Sequence, residues 1–214
     1  MWNYKGREVD LWNLDLKINS RGFHIDQEHA RAAIRNSDRE KAKLATRAQE
    51  LTGYDPSTGK GLASTQQRDV VKRILAMWGV ELPDLLADTI ERRLADPDLP
   101  DAAKELMQNR LQSSMNSVAK YKTVLRAVCE DGRIRGGAQF RGAARTGRWA
   151  HRLFQHGNMP RPSIGHEMVE LLIDMMKTDD AELVWDDIME VCRSSIRGVI
   201  TAAPGKKLVV ADLA

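Results

Sequence analysis

The chain has 214 residues, of which 42% are hydrophobic and 29% charged, and its formal net charge is +3. This length can bury a core, and the apolar content excludes a wholly disordered chain. No apolar run approaches the roughly 20 residues that span a bilayer. Because the first residues also lack a secretory signal, we expect a cytoplasmic protein with no membrane partner.

Helical patterns dominate the first part of the sequence. Asp26 can cap a helix that runs to about Leu51, and Gly53 can end it. The sequence Ser-Thr-Gln-Gln at residues 64–67 has the form of a capping box in front of a second helix. Pro83 suits the first turn of a short helix that follows.

The most regular segment runs from Asp101 to Cys129. Core-type residues recur there at spacings of 4, 3, 4, 3, 4 and 3, at Met107, Leu111, Ser114, Val118, Tyr121, Leu125 and Val128. This pattern is typical of a coiled-coil seam. It predicts one helix about 40 Å long, whose natural antiparallel partner is the 26–51 helix.

Short strands are predicted after this helix. Residues 133–135 and 138–140 favour one strand and residues 146–150 a second, with a turn at Gly142 between them. Together they predict a β-hairpin. We interpret His151 and the nearby His156 as polar surface residues rather than ligands or bases.

The last part of the sequence alternates again between helix and strand. Apolar residues at helical spacing predict amphipathic helices over 168–175 and 183–191. The apolar run at 207–213, after a Pro-Gly turn, predicts a buried strand. The fold class is therefore mainly α with a small β portion (α+β): long antiparallel helices, then a β-hairpin, helices and a strand.

The two cysteines, Cys129 and Cys192, are too few for a disulfide framework or a four-cysteine zinc site. Both lie in apolar segments with a helical pattern. We therefore predict two buried free thiols rather than a redox pair.

The small net charge hides a strong asymmetry. Residues 1–119 are neutral overall, residues 120–161 carry ten basic and two acidic side chains, and residues 162–214 have a net charge of −5. Such a basic block predicts a polyanionic partner. A solvated basic face with no ligand is the alternative.

Two segments of the basic block have the chemistry of nucleic-acid contacts. Arg145, Arg148 and Arg152 alternate with a glycine and aromatic residues, and guanidinium groups suit phosphate oxygens and base edges. Lys120 and Lys122 follow small polar residues on the long helix, where hydroxyls and amines can reach phosphates. The alternative for the first segment is an ordinary hairpin with a buried tryptophan.

Asp212 directly follows the apolar run of the predicted last strand. Ionised carboxylates are seldom left in such places unless they are paired or bound to a metal. Mg²⁺ takes few protein carboxylates and keeps positions for substrate phosphates. A magnesium ligand is therefore one interpretation, and a local cap at the strand end is the other.

In order and spacing, seven segments resemble family A, polymerase-I-like DNA polymerases, most closely those of bacteriophages. Thr-Gly-Arg at 146–148 and the closing segment, which is similar to the start of polymerase motif A, are the most specific. The resemblance covers nearly the whole chain, and the segments that carry it are 62–67, 117–122, 131–135, 142–149, 158–162, 196–205 and 207–214.

The resemblance implies a helical thumb region over 1–130 and a partial palm over 131–214. It makes Asp212 a catalytic aspartate that binds Mg²⁺ in a two-metal site. With the basic pattern, it predicts that the following residues bind primer–template DNA: Lys120, Lys122, Arg145, Thr146, Arg148, Arg152 and Asn158. Where bacterial relatives continue Thr-Gly-Arg with Leu-Ser-Ser, this sequence continues with Trp-Ala-His.

Two-metal nucleotidyl transfer needs more than one placed carboxylate and a charge clamp on the triphosphate. The sequence carries only the start of motif A, without the nucleotide-binding fingers helix or the second catalytic aspartate of the family. We therefore expect this chain to be inactive alone and to bind a dNTP only when a second chain, with fingers and remaining palm, completes the site. A natural split half, an interrupted gene and a truncated form all fit this expectation.

The predicted function is thus a fragment of a DNA-directed DNA polymerase, a nucleotidyltransferase of DNA replication, acting in the host cytoplasm if it is phage-encoded. The alternative is a non-catalytic DNA-binding helical protein derived from a polymerase, which leaves Asp212 without a role. A helical protein–protein adaptor is a third hypothesis, and it would show no salt-dependent DNA binding.

Overall fold

The computed structural model describes residues 5–115 and 117–209. Eight α-helices lie in these residues: α1 (Arg7–Arg21), α2 (Gln27–Thr52), α3 (Arg68–Met77), α4 (Ala87–Leu94), α5 (Asp101–Ser113), α6 (Ser117–Ala127), α7 (His166–Lys177) and α8 (Ile188–Ser195). The strands there are short: β1 (Phe23–Ile25), β2 (Arg133–Ile134), β3 (Ala138–Gln139), β4 (Ala150–His151) and β5 (Ile200–Thr201). Three 3₁₀ turns complete this part of the chain: His156–Asn158, Ala181–Leu183 and Ile196–Val199. The predicted class, mainly α with a small β portion, is confirmed.

The chain forms two compact units. The helical unit comprises the described residues of Asn36–Asn116 together with Asp187–Glu190. The sheet unit comprises the described residues of Met1–Arg35, Ser117–Asp186 and Val191–Ala214. The thumb and palm ranges, 1–130 and 131–214, concern functional regions and stay a prediction.

The helical unit is built around one apolar core. On α3, the helical spacing of Val71, Ile74 and Leu75 places all three side chains inside. Each fully buried aliphatic side chain contributes about 1.5–3 kcal/mol. The buried members of the core are Ala48, Leu62, Val71, Ile74, Leu75, Val80, Ile90, Leu99, Ala103, Leu106 and Met107.

Helix α5 packs antiparallel to the second half of α2, as the sequence predicts. Asn109 Nδ2 donates to the Leu44 carbonyl at 2.7 Å. Arg47 Nε lies 2.5 Å from Glu105 Oε1. Because residue numbers rise on one helix while they fall on the other, the two helices run in opposite directions.

The single long helix predicted over 101–129 is wrong, because α5 ends at Ser113 and α6 begins at Ser117. The hydroxyl of Ser113 donates to the Arg110 carbonyl at 3.2 Å, and that of Ser114 donates to the Leu111 carbonyl at 2.9 Å. Serine side chains that bond to nearby carbonyls compete with the helical ladder. The apolar spacing agrees with each of the two helices, but it does not require that they form one continuous helix.

Most of the predicted signals for the ends of helices are confirmed. Asp26 Oδ1 accepts the amide of His29 at 2.9 Å in front of α2, and Gly53 follows α2 at φ +60°. The Ser64 amide donates to Gln67 Oε1 at 3.3 Å, which is half of a capping box before α3. Pro83 is not in a first turn, because α4 begins only at Ala87.

The sheet unit has a three-stranded antiparallel sheet in the order β2-β1-β5, with Phe23 opposite Ile134 and His24 opposite Thr201. A separate hairpin pairs β3 with β4, with Ala138 opposite His151. The predicted hairpin is therefore confirmed, but only Ala138–Gln139 pairs with Ala150–His151. Residues 146–149, predicted as strand, lie outside any strand, and β2 pairs with β1 instead.

Two predictions for the last part of the chain are corrected. The helix predicted over 183–191 begins only at Ile188, and Leu183, the last residue of a 3₁₀ turn, is 77% exposed. The predicted buried strand is wrong over its described residues, since Leu208 and Val209 are 56% and 83% exposed and lie outside any strand. No described strand pairs with them, and a strand needs a neighbour for its backbone hydrogen bonds. Asp212 lies outside the described residues.

The cysteine prediction is confirmed for one residue. Cys192 is buried, but Cys129 is exposed. Helix α6 ends before Cys129, whose amide donates to the Arg133 carbonyl at 2.9 Å in the turn toward β2. Among the described helices, none is long and apolar enough to cross a bilayer.

Candidate nucleic-acid interface

Helix α1, which the sequence did not reveal, fixes the hairpin of the sheet unit. Asn19 bonds both backbone groups of Ala138, accepting from the amide at 3.0 Å and donating to the carbonyl at 2.9 Å. Asp15 Oδ1 accepts the indole N–H of Trp149 at 2.8 Å. Both strand regions of the hairpin are therefore tied to one helix.

The aromatic residues of the hairpin pack within the protein. Trp149 meets Phe140 edge-on at 5.2 Å between ring centroids, and Phe140 meets Trp12 at 6.5 Å. The carboxylate of Asp15 is 5% exposed, and a second bond from Asn19 Nδ2 at 3.0 Å satisfies its other oxygen. Trp149 is half-buried and has a structural role, so the interface presents guanidinium groups rather than a stacking platform.

The turn of the hairpin, residues 143–148, is called the basic tip below. The Ala143 carbonyl accepts the amides of Thr146 at 3.1 Å and Gly147 at 2.8 Å, and the Ala143 amide donates to the Arg148 carbonyl at 3.1 Å. Gly147 has φ +67°, a conformation that favours glycine. Arg145, Thr146 and Arg148 are exposed.

Side chains at the basic tip have no partner within the described part of the chain. Neither Arg145 nor Arg148 forms an ion pair there, and their planar guanidinium groups keep all of their donors. A fixed backbone that carries unpaired guanidinium groups is suited to binding phosphate oxygens.

The structure brings Lys120 and Asn158 together. Lys120 Nζ donates to the Asn158 carbonyl at 3.0 Å. The next two carbonyls, of Met159 and Pro160, each accept from Arg197 at 3.0 Å. Since carbonyl partners carry no net charge, both cations hold this segment in place and keep their positive charge.

The remaining predicted DNA contacts are also exposed. Arg152 Nε donates to Gln139 Oε1 at 2.8 Å, so its side chain lies along the hairpin. Lys122 is exposed on α6. The neighbouring Tyr121 is fully buried and donates to the Cys192 carbonyl at 2.8 Å, which holds α6 against α8. Burial raises the pKa of Tyr121, so its hydroxyl stays protonated.

His151 and His156 are not the free surface residues that the sequence predicts. Their rings meet edge-on at 4.2 Å, with His151 Nδ1 at 2.9 Å from His156 Nε2, and they join β4 to the following 3₁₀ turn. Phe23 packs on His156 at 4.6 Å. Burial, with His151 as a second cause, lowers the pKa of His156 to about 4. His156 is therefore neutral at pH 7.

Within residues 5–115 and 117–209, no group of three or more His, Cys, Asp or Glu side chains is placed to hold a metal ion. The predicted magnesium ligand, Asp212, lies outside these residues. The described interface is thus one of cations and backbone carbonyls.

Sequence reasoning missed Asp15, Asn19 and Arg197. Asp15 and Asn19 stand four residues apart, as polar side chains on one helical face do. That spacing would have indicated that both side chains, on one face of a helix, contact the same neighbouring element. Nothing in the sequence indicates that Trp149 is that partner.

Comparison with known proteins gives one extended match. The chain is 32% identical over 208 residues to a DNA polymerase of Bacillus phage SP02, and the match covers 96% of this chain. It covers 30% of the length of that relative. No family profile matches the chain, and no solved structure matches it. The match agrees with the predicted resemblance as far as a phage DNA polymerase is concerned.

Proposed function

We propose that this chain is the part of a DNA-directed DNA polymerase that grips the primer–template during replication. The similarity along almost the whole chain to a phage protein named DNA polymerase supports the assignment. We further propose that the polymerase is of family A, with 1–130 as thumb and 131–214 as the beginning of the palm.

The observation that carries the proposal is the basic tip. Arg145 and Arg148 are exposed and without described partners, on a turn that α1 fixes through Asp15 and Asn19. Preorganised cations bind a polyanion without first breaking an internal ion pair. Duplex DNA is the polyanion that a polymerase must hold.

Lys120 and Asn158 extend this surface. The bond from Lys120 Nζ to the Asn158 carbonyl keeps the ammonium group near the segment that resembles a primer–template lining. An ammonium group has three donors, so two remain for phosphate oxygens. Lys122 and Arg152, both exposed, contribute further positive charge.

The first test is binding of the purified chain to a fluorescent primer–template duplex, measured by anisotropy over a range of salt concentrations. Arg145→Ala/Arg148→Ala is expected to weaken binding at least about tenfold and to reduce the salt slope by about two. The matched control, Arg73→Ala/Lys104→Ala, removes two exposed cations of the helical unit and should change affinity less than about threefold.

Equal affinities for the tip variant and the wild-type chain would contradict the proposal, provided that circular dichroism shows both to be folded. Absence of any salt-dependent DNA binding would favour the protein–protein adaptor instead.

We also propose that Asp212 is a Mg²⁺ ligand of the polymerase. A carboxylate is the hard oxygen donor that Mg²⁺ takes in proteins. Bound magnesium would neutralise triphosphate charge during phosphoryl transfer. Because the resemblance assigns one of the required carboxylates to this chain, we propose that a second polypeptide with fingers and remaining palm supplies the other and completes the dNTP site.

The test is primer extension by this chain combined with such a polypeptide, for which the remaining part of the phage SP02 relative is the available candidate. Asp212→Ala should abolish extension with Mg²⁺, while its affinity for the duplex stays within about twofold of wild type. Full extension by the Asp212→Ala protein would end this part of the proposal. Extension that the variant loses together with DNA affinity would also count against a role in metal binding.

A further inference from the structure

A second basic feature of the sheet unit lies away from the hairpin, at the three-stranded sheet. A cavity of about 630 Å³ is formed there by β1, β2, β5 and the residues that follow β5. The polar residues that line it are Arg21, His24, Arg133, Thr201, Lys206 and Lys207.

The charge of the cavity is of one sign. None of the described residues that line it is an aspartate or glutamate, whereas Arg21, Arg133, Lys206 and Lys207 all carry a positive charge. Other cavities in the described part of the chain differ in this respect. A cavity of about 480 Å³ is lined by the acidic Glu50 as well as by basic residues. A cavity of about 220 Å³ is lined by two aspartates.

Arg133 is held in place within this cavity. Its Nε donates to the Arg21 carbonyl at 2.7 Å and its Nη2 to the Gly22 carbonyl at 3.2 Å. Its Nη1 has no partner among the described residues. Two nitrogens bond neutral carbonyls, which orients the guanidinium. The carboxylate of Asp131, which does not line the cavity, also attracts it electrostatically.

Another wall of the cavity is polar and fixed across two strands. His24 Nδ1 lies 3.0 Å from the Thr201 hydroxyl, a bond that joins β1 to β5. Gly22, which also lines the cavity, has φ +64°, and a Cβ there would lie 2.3 Å from the Ile134 carbonyl oxygen. Any larger residue would therefore displace β2 together with Arg133.

The two lysines come from the turn after β5. The Lys206 amide donates to the Ala203 carbonyl at 2.9 Å, and Gly205 has φ +71°, which closes the turn. Lys206 and Lys207 are exposed, and their ammonium groups have no partner in residues 5–115 and 117–209. They are therefore available to a ligand.

We propose that this cavity binds a chain of phosphate groups, as found in a free polyphosphate or in the backbone of a nucleic-acid strand. Its volume lies in the range of about 300–1,000 Å³ that suits small ligands, and it exceeds what a single phosphate needs. Four cations, with no aspartate or glutamate among the described residues of the lining, match several negative groups in a row. The inference rests on the cavity and not on the polymerase assignment.

The test is isothermal titration calorimetry of the whole chain with inorganic tripolyphosphate in magnesium-free buffer. Lys206→Glu/Lys207→Glu should weaken binding about tenfold or more, because two attractive contacts become repulsive. The matched control, Lys60→Glu/Lys104→Glu, makes the same change in net charge at exposed positions of the helical unit. It should bind within about twofold of wild type.

Competition by a short oligothymidylate distinguishes the two sources of phosphate. Displacement of tripolyphosphate by the oligonucleotide indicates a nucleic-acid strand as the ligand, and failure to displace it indicates a free polyphosphate. Equal weakening by the cavity variant and the control would overturn the proposal. So would tripolyphosphate binding that Arg145→Ala/Arg148→Ala removes and Lys206→Glu/Lys207→Glu retains. If the chain binds tripolyphosphate in the cavity but does not bind duplex DNA, the result contradicts only the proposed polymerase role.

Discussion

The cations of the candidate interface bond different partners from Arg47 and Arg92 of the helical unit. Elsewhere in the sheet unit cations do pair with carboxylates, as Lys177 does with Asp26 at 2.9 Å. In the helical unit, Arg47 bonds Glu105 at 2.5 Å, and Arg92 pairs with Asp88 at 2.8 Å. In the sheet unit, Arg197 and Lys120 instead bond backbone carbonyls at 3.0 Å. A carboxylate partner neutralises a cation, whereas a carbonyl partner orients it and leaves the charge in place. A cation of the candidate interface that bonds only a carbonyl therefore keeps a charge that can serve binding.

The units also differ in what they bury. The helical unit has a continuous apolar core that includes Leu75 and Met107. Beside this core, the helical unit buries polar groups such as Asn109 and Arg110, whereas the sheet unit buries the carboxylate of Asp15, which is 5% exposed, and the imidazole of His29, which is fully buried. Buried polar groups in both units depend on specific partners. Because the sheet unit buries a histidine, its stability should also depend on pH.

The largest expected effect is in the apolar core. Leu75→Ala should lower the free energy of unfolding by about 3–4 kcal/mol, since Leu75 is fully buried and the shorter side chain leaves a cavity. Urea denaturation followed by circular dichroism measures the loss. Duplex affinity of the folded variant should be unchanged.

The control is Leu86→Ala, at a side chain that is 63% exposed, with an expected change within about 0.5 kcal/mol. Similar losses for both variants would contradict the assignment of Leu75 to the core.

The next effect is a pH dependence of the sheet unit. Burial lowers the pKa of His29 to about 4, with Asp26 opposing the shift, and burial also lowers that of His156 to about 4. The unfolded chain therefore binds more protons than the folded one between pH 6.5 and 4, and stability is lost as pH falls through this window. His29 should account for about 2–3 kcal/mol between pH 7 and 4.5, and half-buried His156 for less.

Urea denaturation at pH 7.5, 5.5 and 4.5 measures this dependence. His29→Leu should flatten the profile, and His166→Leu, at an exposed histidine of α7, should leave it unchanged. A wild-type profile that is flat over this range would contradict the burial of neutral His29.

The smallest effect concerns the bond between α1 and the hairpin. Trp149→Phe removes the N–H that satisfies the Asp15 carboxylate and should cost about 1–2 kcal/mol of stability. Because the basic tip would be held less firmly, duplex affinity should fall about two- to threefold, less than when the two tip arginines are removed.

Trp185→Phe is the matched control, because the indole N–H of Trp185 has no partner among the described residues. It should cost less stability and leave duplex affinity unchanged. Anisotropy and urea denaturation on both variants make the comparison, and an equal loss of affinity would show that the Asp15 bond does not position the tip.

Sequence reasoning succeeded where a signal acts over a few residues. Asp26 caps α2 and Gly53 follows its end because the bonds involved are formed by the adjacent turn. It failed where the pairing of a segment depends on a partner that is distant in the sequence. Arg133 belongs to a strand as predicted, but that strand pairs with β1, which no pattern indicated.

The candidate site was predicted in composition but not in organisation. The exposed positions of Arg145 and Arg148 agree with the basic pattern, whereas the half-buried contact between His151 and His156 does not agree with their predicted place at the surface. A histidine ring can lie at the polar surface or be half-buried against other side chains. Its neighbours in space decide which of the two environments it has. Those neighbours include Phe23, far away in the sequence.

The sequence by itself determined the mainly helical class, the helix ends and the concentration of basic residues in 120–161, because these follow from composition and from contacts within a turn. Only the tertiary structure decided which cations bond carbonyls, which have no partner among the described residues, and where these residues form a cavity that no carboxylate of theirs lines. The bond from Trp149 to Asp15 joins residues 134 positions apart. Such contacts depend on how whole elements pack, and no local pattern specifies them.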